Sequence, residues 1–198
     1  APDRFIKAGI GDVLSNLSAV KDWELAVKEN GEKMDGLAAS MARISAEALL
    51  GRADSIGSDD FLVALSEALV LSGIAMGIAG TSRPCSGACH EISHAIDLLF
   101  PDRTQPHGEQ VGIGALFATF LRNDEERFIE LAYALSQHGL PISHHNLGFN
   151  DEEFTEIVKS APTTRPDRFT ILEHLKMSEN RIKEKIKEFN DAIASIQI

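Results

Sequence analysis

Three short segments of this chain hold the residue types that do chemistry: Gly9-Ile10-Gly11-Asp12, His90-Glu91-Ile92-Ser93-His94 and His107-Gly108-Glu109-Gln110. His90 and His94 are four residues apart, so on a helix both rings leave one face on successive turns. That spacing serves two chemistries: the pair chelates one ion, or one imidazole ligates while its neighbour moves protons. An HxxxH pair also occurs by chance as two hydrogen-bonded core histidines. Asp12 is expected near the start of the first helix, where the dipole favours a carboxylate. His107 is expected to open a later one. Two imidazoles and one carboxylate leave a position open on a divalent ion, as a catalytic site requires. Glu109, two residues beyond His107, is expected to hold a ligand imidazole from behind. The adjacent pair His144-His145 reads as loop surface, and His138 and His174 have no comparable setting. Cys85 and Cys89 stand beside His90, but no CxxC pair supports a closed zinc site, so both are expected to be small buried residues.

Positioning these residues falls to helices. Apolar residues recur at helical spacing almost throughout, with no period-2 strand, which predicts an all-α multi-helix bundle of about eight helices. The first is expected over Asp12 to Asn30, carried by Leu14, Leu17, Val20, Leu25 and Val27 and stopped by Gly31. A second covers Met34 to Leu50. Ser58-Asp59-Asp60 caps the long apolar run Phe61 to Gly80, whose single charge is Glu67. That run is long enough to span a bilayer, but its glycines, serines and lack of flanking positive charge favour the buried central helix of a bundle. Further helices are expected from Ser86 or Gly87 to Leu99, from His107 to Leu121, from Asn123 to Gly139, over a short stretch after Asn150, and from Ser178 to Ile196. Ala161-Pro162-Thr163-Thr164-Arg165-Pro166-Asp167 reads as an ordered loop.

The chain's 198 residues, 43% hydrophobic, suffice for one core, so residues 1–198 are expected to form a single domain. A net charge of −11 with no basic run excludes a nucleic-acid surface. Two cysteines in a chain of this length, and a start at Ala1-Pro2-Asp3-Arg4 with no apolar leader, point to a cytoplasmic protein. Oligomeric state stays open, a homo-oligomer included.

A longer stretch brings a resemblance. Gly80-Thr81-Ser82-Arg83-Pro84-Cys85-Ser86-Gly87-Ala88-Cys89-His90-Glu91-Ile92-Ser93-His94-Ala95-Ile96-Asp97, followed by His107-Gly108-Glu109-Gln110-Val111-Gly112, resembles the glycerol-1-phosphate dehydrogenases. These enzymes sit in the superfamily of iron-containing alcohol dehydrogenases, glycerol dehydrogenases and dehydroquinate synthases. The opening Ala8 to Asn16 and the late Arg165-Pro166-Asp167-Arg168-Phe169-Thr170-Ile171-Leu172 are similar to the same family, in the same order. The resemblance implies the helical C-terminal domain of such an enzyme. It implies Asp12, His90 and His107 as ligands of one divalent metal, zinc first, with nickel or iron as alternatives. It places His94 as a substrate-contacting or proton-relaying imidazole and Asp12 against the substrate hydroxyls. The implied reaction is NAD(P)H reduction of dihydroxyacetone phosphate, a small phosphorylated ketone, to sn-glycerol 1-phosphate, a reaction of phospholipid biosynthesis. Cys89 stands where the family usually carries an acid, and Cys85 and Ala88 depart from its small-residue pattern, which bears on substrate identity. The family's glycine-rich dinucleotide turn has no counterpart here, so NAD(P) is expected to enter only through an N-terminal nucleotide-binding domain. The chain alone is then expected to be inactive. Two alternatives stand beside this reading: another substrate on the same fold and metal, as in a polyol or alcohol dehydrogenase or a dehydroquinate synthase-like cyclase, and a non-catalytic helical assembly module.

Overall fold

Capping side chains and glycines punctuate much of this chain. The computed structural model describes residues 2–196, and every regular element among them is helical. The order is α1 (Asp3–Asn30), α2 (Gly36–Leu50), α3 (Asp59–Ala79), α4 (Ala88–Leu99), α5 (His107–Leu121), α6 (Glu125–Gln137), α7 (Asp151–Thr164), α8 (Ile171–Leu175) and α9 (Glu179–Ser195). Two 3₁₀ turns, Pro101–Arg103 and His144–Leu147, sit in the connections. Gly31 ends α1 in the left-handed conformation at φ 66°. Asp35, Ser58, Asp124 and Asn150 each accept a hydrogen bond from a backbone amide three residues on, opening α2, α3, α6 and α7.

The buried centre is α5, with α1 on one side and α4 on the other. From Gln110 to Thr119 every residue of α5 is buried. Such close crossing depends on missing side chains. A Cβ at Gly108 would overlap the Ala8 carbonyl oxygen of α1, and a Cβ at Gly11 would overlap the Gly108 carbonyl oxygen. Buried polar groups lock the outer helices on. Asn16 of α1 donates to Ser45 of α2 and Ser72 of α3 at 3.1 and 2.8 Å. Asp22, fully buried, accepts from the Ala88 amide that opens α4 and the Ile171 amide that opens α8, each at 2.8 Å, and pairs with Arg122 just past α5. One carboxylate thereby joins four segments of the bundle, and each of its contacts satisfies a buried donor.

Three expectations need correction. The first helix begins nine residues earlier than read, at Asp3, because Ile6 and Ile10 extend its buried face and Gly9 and Gly11 serve packing rather than chain breaking. The long apolar helix α3 is not the central one. It buries Phe61, Leu65, Ala68, Ser72 and Ala75 and leaves Val63, Val70, Ile74 and Ile78 exposed. Mean hydropathy cannot tell these two situations apart, whereas the small residues of α5 admit neighbours on all sides. Finally, half of the expected loop 161–167 is the last turn of α7. Pro162 forfeits one backbone bond there, while Thr163 and Thr164 bond back to the Ser160 and Ala161 carbonyls at 2.7 Å.

Candidate metal centre

Asp12 lies in the third turn of α1, not at its start, so the helix dipole has no hold on its carboxylate. The Gly11–Gly108 contact brings that turn directly against the first residue of α5, His107. From α4, His90 closes the set. Ligand atoms of Asp12, His90 and His107 all fall within 4.8 Å of one another. His90 Nε2 is 3.7 Å and His107 Nε2 3.9 Å from Asp12 Oδ1. These gaps are too wide for hydrogen bonds. They match two donors about 2 Å from an ion placed between them.

The other nitrogen of each ring is already engaged. His90 Nδ1 is 3.3 Å from Cys89 Sγ, and His107 Nδ1 is 3.1 Å from Ser93 Oγ. Gln110 steadies Ser93 in turn, donating to its hydroxyl at 2.9 Å and to Asp97 at 3.0 Å. Ser93 thus fills the place expected of Glu109, which lies instead along a surface groove with Arg4, Lys7 and Leu140. A hydroxyl that can both donate and accept gives no signal in a motif scan, which is why Ser93 escaped notice.

His94 stands apart from the ligand set. Its ring centroid is 6.3 Å from that of His90 and 6.4 Å from that of His107. The four-residue spacing therefore points one imidazole into the cluster and the other beside it. Electrostatics agree with neutral ligands. Burial, reinforced by His107 and His94, lowers His90 to about 3. Burial, with Arg165 next, lowers His94. Asp12 is raised by desolvation, which nearby His107 opposes. Cys85 and Cys89 are buried free thiols, and burial pushes both up to about 12, so neither is a thiolate ligand near neutrality.

Arginines that motif reading passed over flank the histidines. Arg168 donates to the Ser86 carbonyl at 3.0 Å and the Ser82 hydroxyl at 2.7 Å. Arg165, at the end of α7, has no side-chain partner among the described residues, yet it lies close enough to depress both His90 and His94. One surface reading is corrected as well: His144 is fully buried, its ring parallel to Phe154 with centroids 4.4 Å apart. Consecutive residues of a 3₁₀ turn diverge by about a third of a turn, so one histidine of the pair enters the core and the other faces solvent.

Comparison with known proteins gives this geometry a setting. No protein-family model matches the chain. The glycerol-1-phosphate dehydrogenase [NAD(P)+] of Pyrococcus furiosus is 42% identical over 174 residues, which cover 87% of this chain and 49% of that protein. The enzyme of the same name from Methanosarcina mazei is 41% identical over 174 residues, covering 87% and 48%. Among solved structures, a probable glycerol dehydrogenase from Sinorhizobium meliloti 1021 superposes with a TM-score of 0.76 at 21% identity, covering 100% of this chain and 57% of that one. The glycerol dehydrogenase of Schizosaccharomyces pombe gives 0.75 at 24% identity, covering 100% and 53%. The chain spans about half the length of the curated relatives it matches. The chain is therefore a homologue of the glycerol-1-phosphate dehydrogenases, folded as the helical C-terminal domain of glycerol dehydrogenase-like enzymes.

Proposed function

We propose that this chain is the metal-binding catalytic domain of an NAD(P)-linked dehydrogenase that interconverts dihydroxyacetone phosphate and sn-glycerol 1-phosphate. The observation that carries the reading is the convergence of Asp12, His90 and His107 from three helices, with both Nδ1 atoms held and both Nε2 atoms facing one carboxylate oxygen. Those three residues would hold one divalent cation, zinc first, with nickel or iron also suited to two nitrogens and an oxygen. When bound there, the ion supplies Lewis-acid polarisation of a carbonyl oxygen.

The remaining roles belong to side chains. Ser93 accepts from His107 Nδ1–H, which leaves the Nε2 lone pair free for the ion. His94, neutral near pH 7 and outside the ligand set, relays a proton to or from the substrate oxygen. Asp12 also faces the substrate hydroxyls. Arg165, without an internal partner, is the cation that receives the substrate phosphate. Nicotinamide and its binding site come from a nucleotide-binding domain, so the 198-residue chain by itself binds metal but transfers no hydride.

The full-length gene product tests this reading. It is expected to oxidise NAD(P)H in the presence of dihydroxyacetone phosphate and to form sn-glycerol 1-phosphate. His90→Ala is expected to remove one equivalent of metal together with activity. His94→Ala is expected to keep the metal and lower kcat. Equal metal loss in both variants would mean that the α4 histidines chelate as a pair, and the assignment of roles would fail.

A further inference from the structure

A second set of metal-ligating side chains converges away from the Asp12 cleft. His144 and His145, in the 3₁₀ turn before α7, both aim Nε2 at one oxygen of Asp151, the first residue of α7, at 2.8 and 2.9 Å. Asn190 of α9 donates to the same oxygen at 3.1 Å. Three donors therefore crowd one carboxylate oxygen. The turn itself is fixed by a reciprocal cap between Ser143 and Asn146. Within it the His144 ring is buried against Phe154, and its Nδ1 has no partner. The imidazole thus has one polar outlet, Nε2, held in place by packing. His145 and Asp151 are half exposed, which leaves the cluster open to solvent on one side.

Two donors bound at about 2.0–2.1 Å and at right angles to one another lie about 2.9 Å apart. A nitrogen-to-oxygen spacing of 2.8–2.9 Å is that of a hydrogen bond, and it also falls within the span of two neighbouring positions on one ion. Asp151, Glu152 and Glu153 make the first turn of α7 acidic, which offsets the positive helix end that a cation would meet there. We propose that His144, His145 and Asp151 form a second cation site for a divalent transition metal such as copper(II) or nickel, in which both Nε2 lone pairs face the ion and each ring proton sits on Nδ1. Its affinity is lower than that of the Asp12 centre, because His144 Nδ1 lacks the partner that Cys89 and Ser93 provide to His90 and His107.

The test uses the whole 198-residue chain with His90→Ala and His107→Ala to empty the first centre, and copper(II) and nickel as probes. One equivalent of copper is expected to bind with an electron paramagnetic resonance spectrum showing two coupled nitrogens. Adding His145→Ala is expected to abolish the two-nitrogen spectrum and that binding, while the melting temperature in chelator stays unchanged because His145 is exposed. If the His145→Ala chain binds copper as before, or if no two-nitrogen species forms with His145 in place, the cluster is a hydrogen-bonded clasp only. Since the comparison turns on His145 rather than on the first centre, failure of the dehydrogenase reading leaves its outcome readable.

Discussion

Glu91 follows His90 in sequence but points the opposite way, into the bundle. Its Oε2 accepts from Thr170 at 3.0 Å, and Oε1 has no partner. Burial, with Glu173 and Asp22 adding like charge, pushes it from 4.5 up to about 8. An unfolded chain releases this proton near pH 4.5, whereas the folded one keeps it to about pH 8. Stability therefore falls as pH rises through that window and levels off above it. The depressed His90 acts in the reverse sense, its contribution being lost as pH falls from 6.5 toward 3. Replacing only Glu91 cancels the histidine's share. Glu91→Gln is expected to melt higher relative to wild type at pH 8 than at pH 5. Equal differences at the two pH values, measured by thermal melts of metal-free protein, would count against an uncharged Glu91. At this scale the candidates Asp12, His90 and His107 were legible, their types and spacing marking them and the family resemblance joining them into one ligand set. Ser93 and Arg165 were not, since a serine and an arginine become site residues only through what the fold sets beside them.

Helix boundaries were legible at Gly31, Ser58, Asp124 and Asn150, which act where their types suggest, whereas α8, capped by Thr170, was not read. The start of α1 was not, because Pro2 offers no capping side chain and the glycines of its third turn look like breakers. Gly11 and its partner Gly108 decide how closely α1 and α5 approach, and hence where Asp12 stands relative to His107. Gly108→Ala tests this. Alanine favours a helix by up to about 1 kcal/mol over glycine. Here its methyl would meet the Ala8 carbonyl oxygen, a backbone atom that cannot rotate away. Parting the helices costs about 1–3 kcal/mol by the usual measure of overpacking. The variant is expected to melt lower and to bind zinc more weakly than wild type. Unaltered melting and zinc affinity would show that the crossing has slack.

Across the whole molecule the candidate metal centre is a tertiary construction. Asp12 and His107 are far apart in sequence, and no fold-independent fragment holds all three ligands. Ion binding therefore favours the folded state, by about 2.7 kcal/mol when free metal exceeds Kd 100-fold. Reloading the metal-free chain with zinc is expected to raise its melting temperature, and to raise it less in Asp12→Asn. No rise in the wild type would dissociate the cluster from metal binding. The all-α class was legible from periodicity alone. Which helix sits at the centre was not, because α3 and α5 are both apolar and only packing separates them.

The Asp22 junction has a consequence for how the chain becomes a protein. Its partners Ala88, Arg122 and Ile171 arrive one after another during synthesis, the last of them 149 residues after Asp22 itself. Until that final amide is delivered, a buried carboxylate at the root of α4 is short of a donor, and the helix bearing His90 lacks its finished seat. Contacts of such sequence separation form late and slowly. The nascent chain is thus expected to carry its helices long before it carries its centre, and metal uptake belongs to the last act of folding rather than the first.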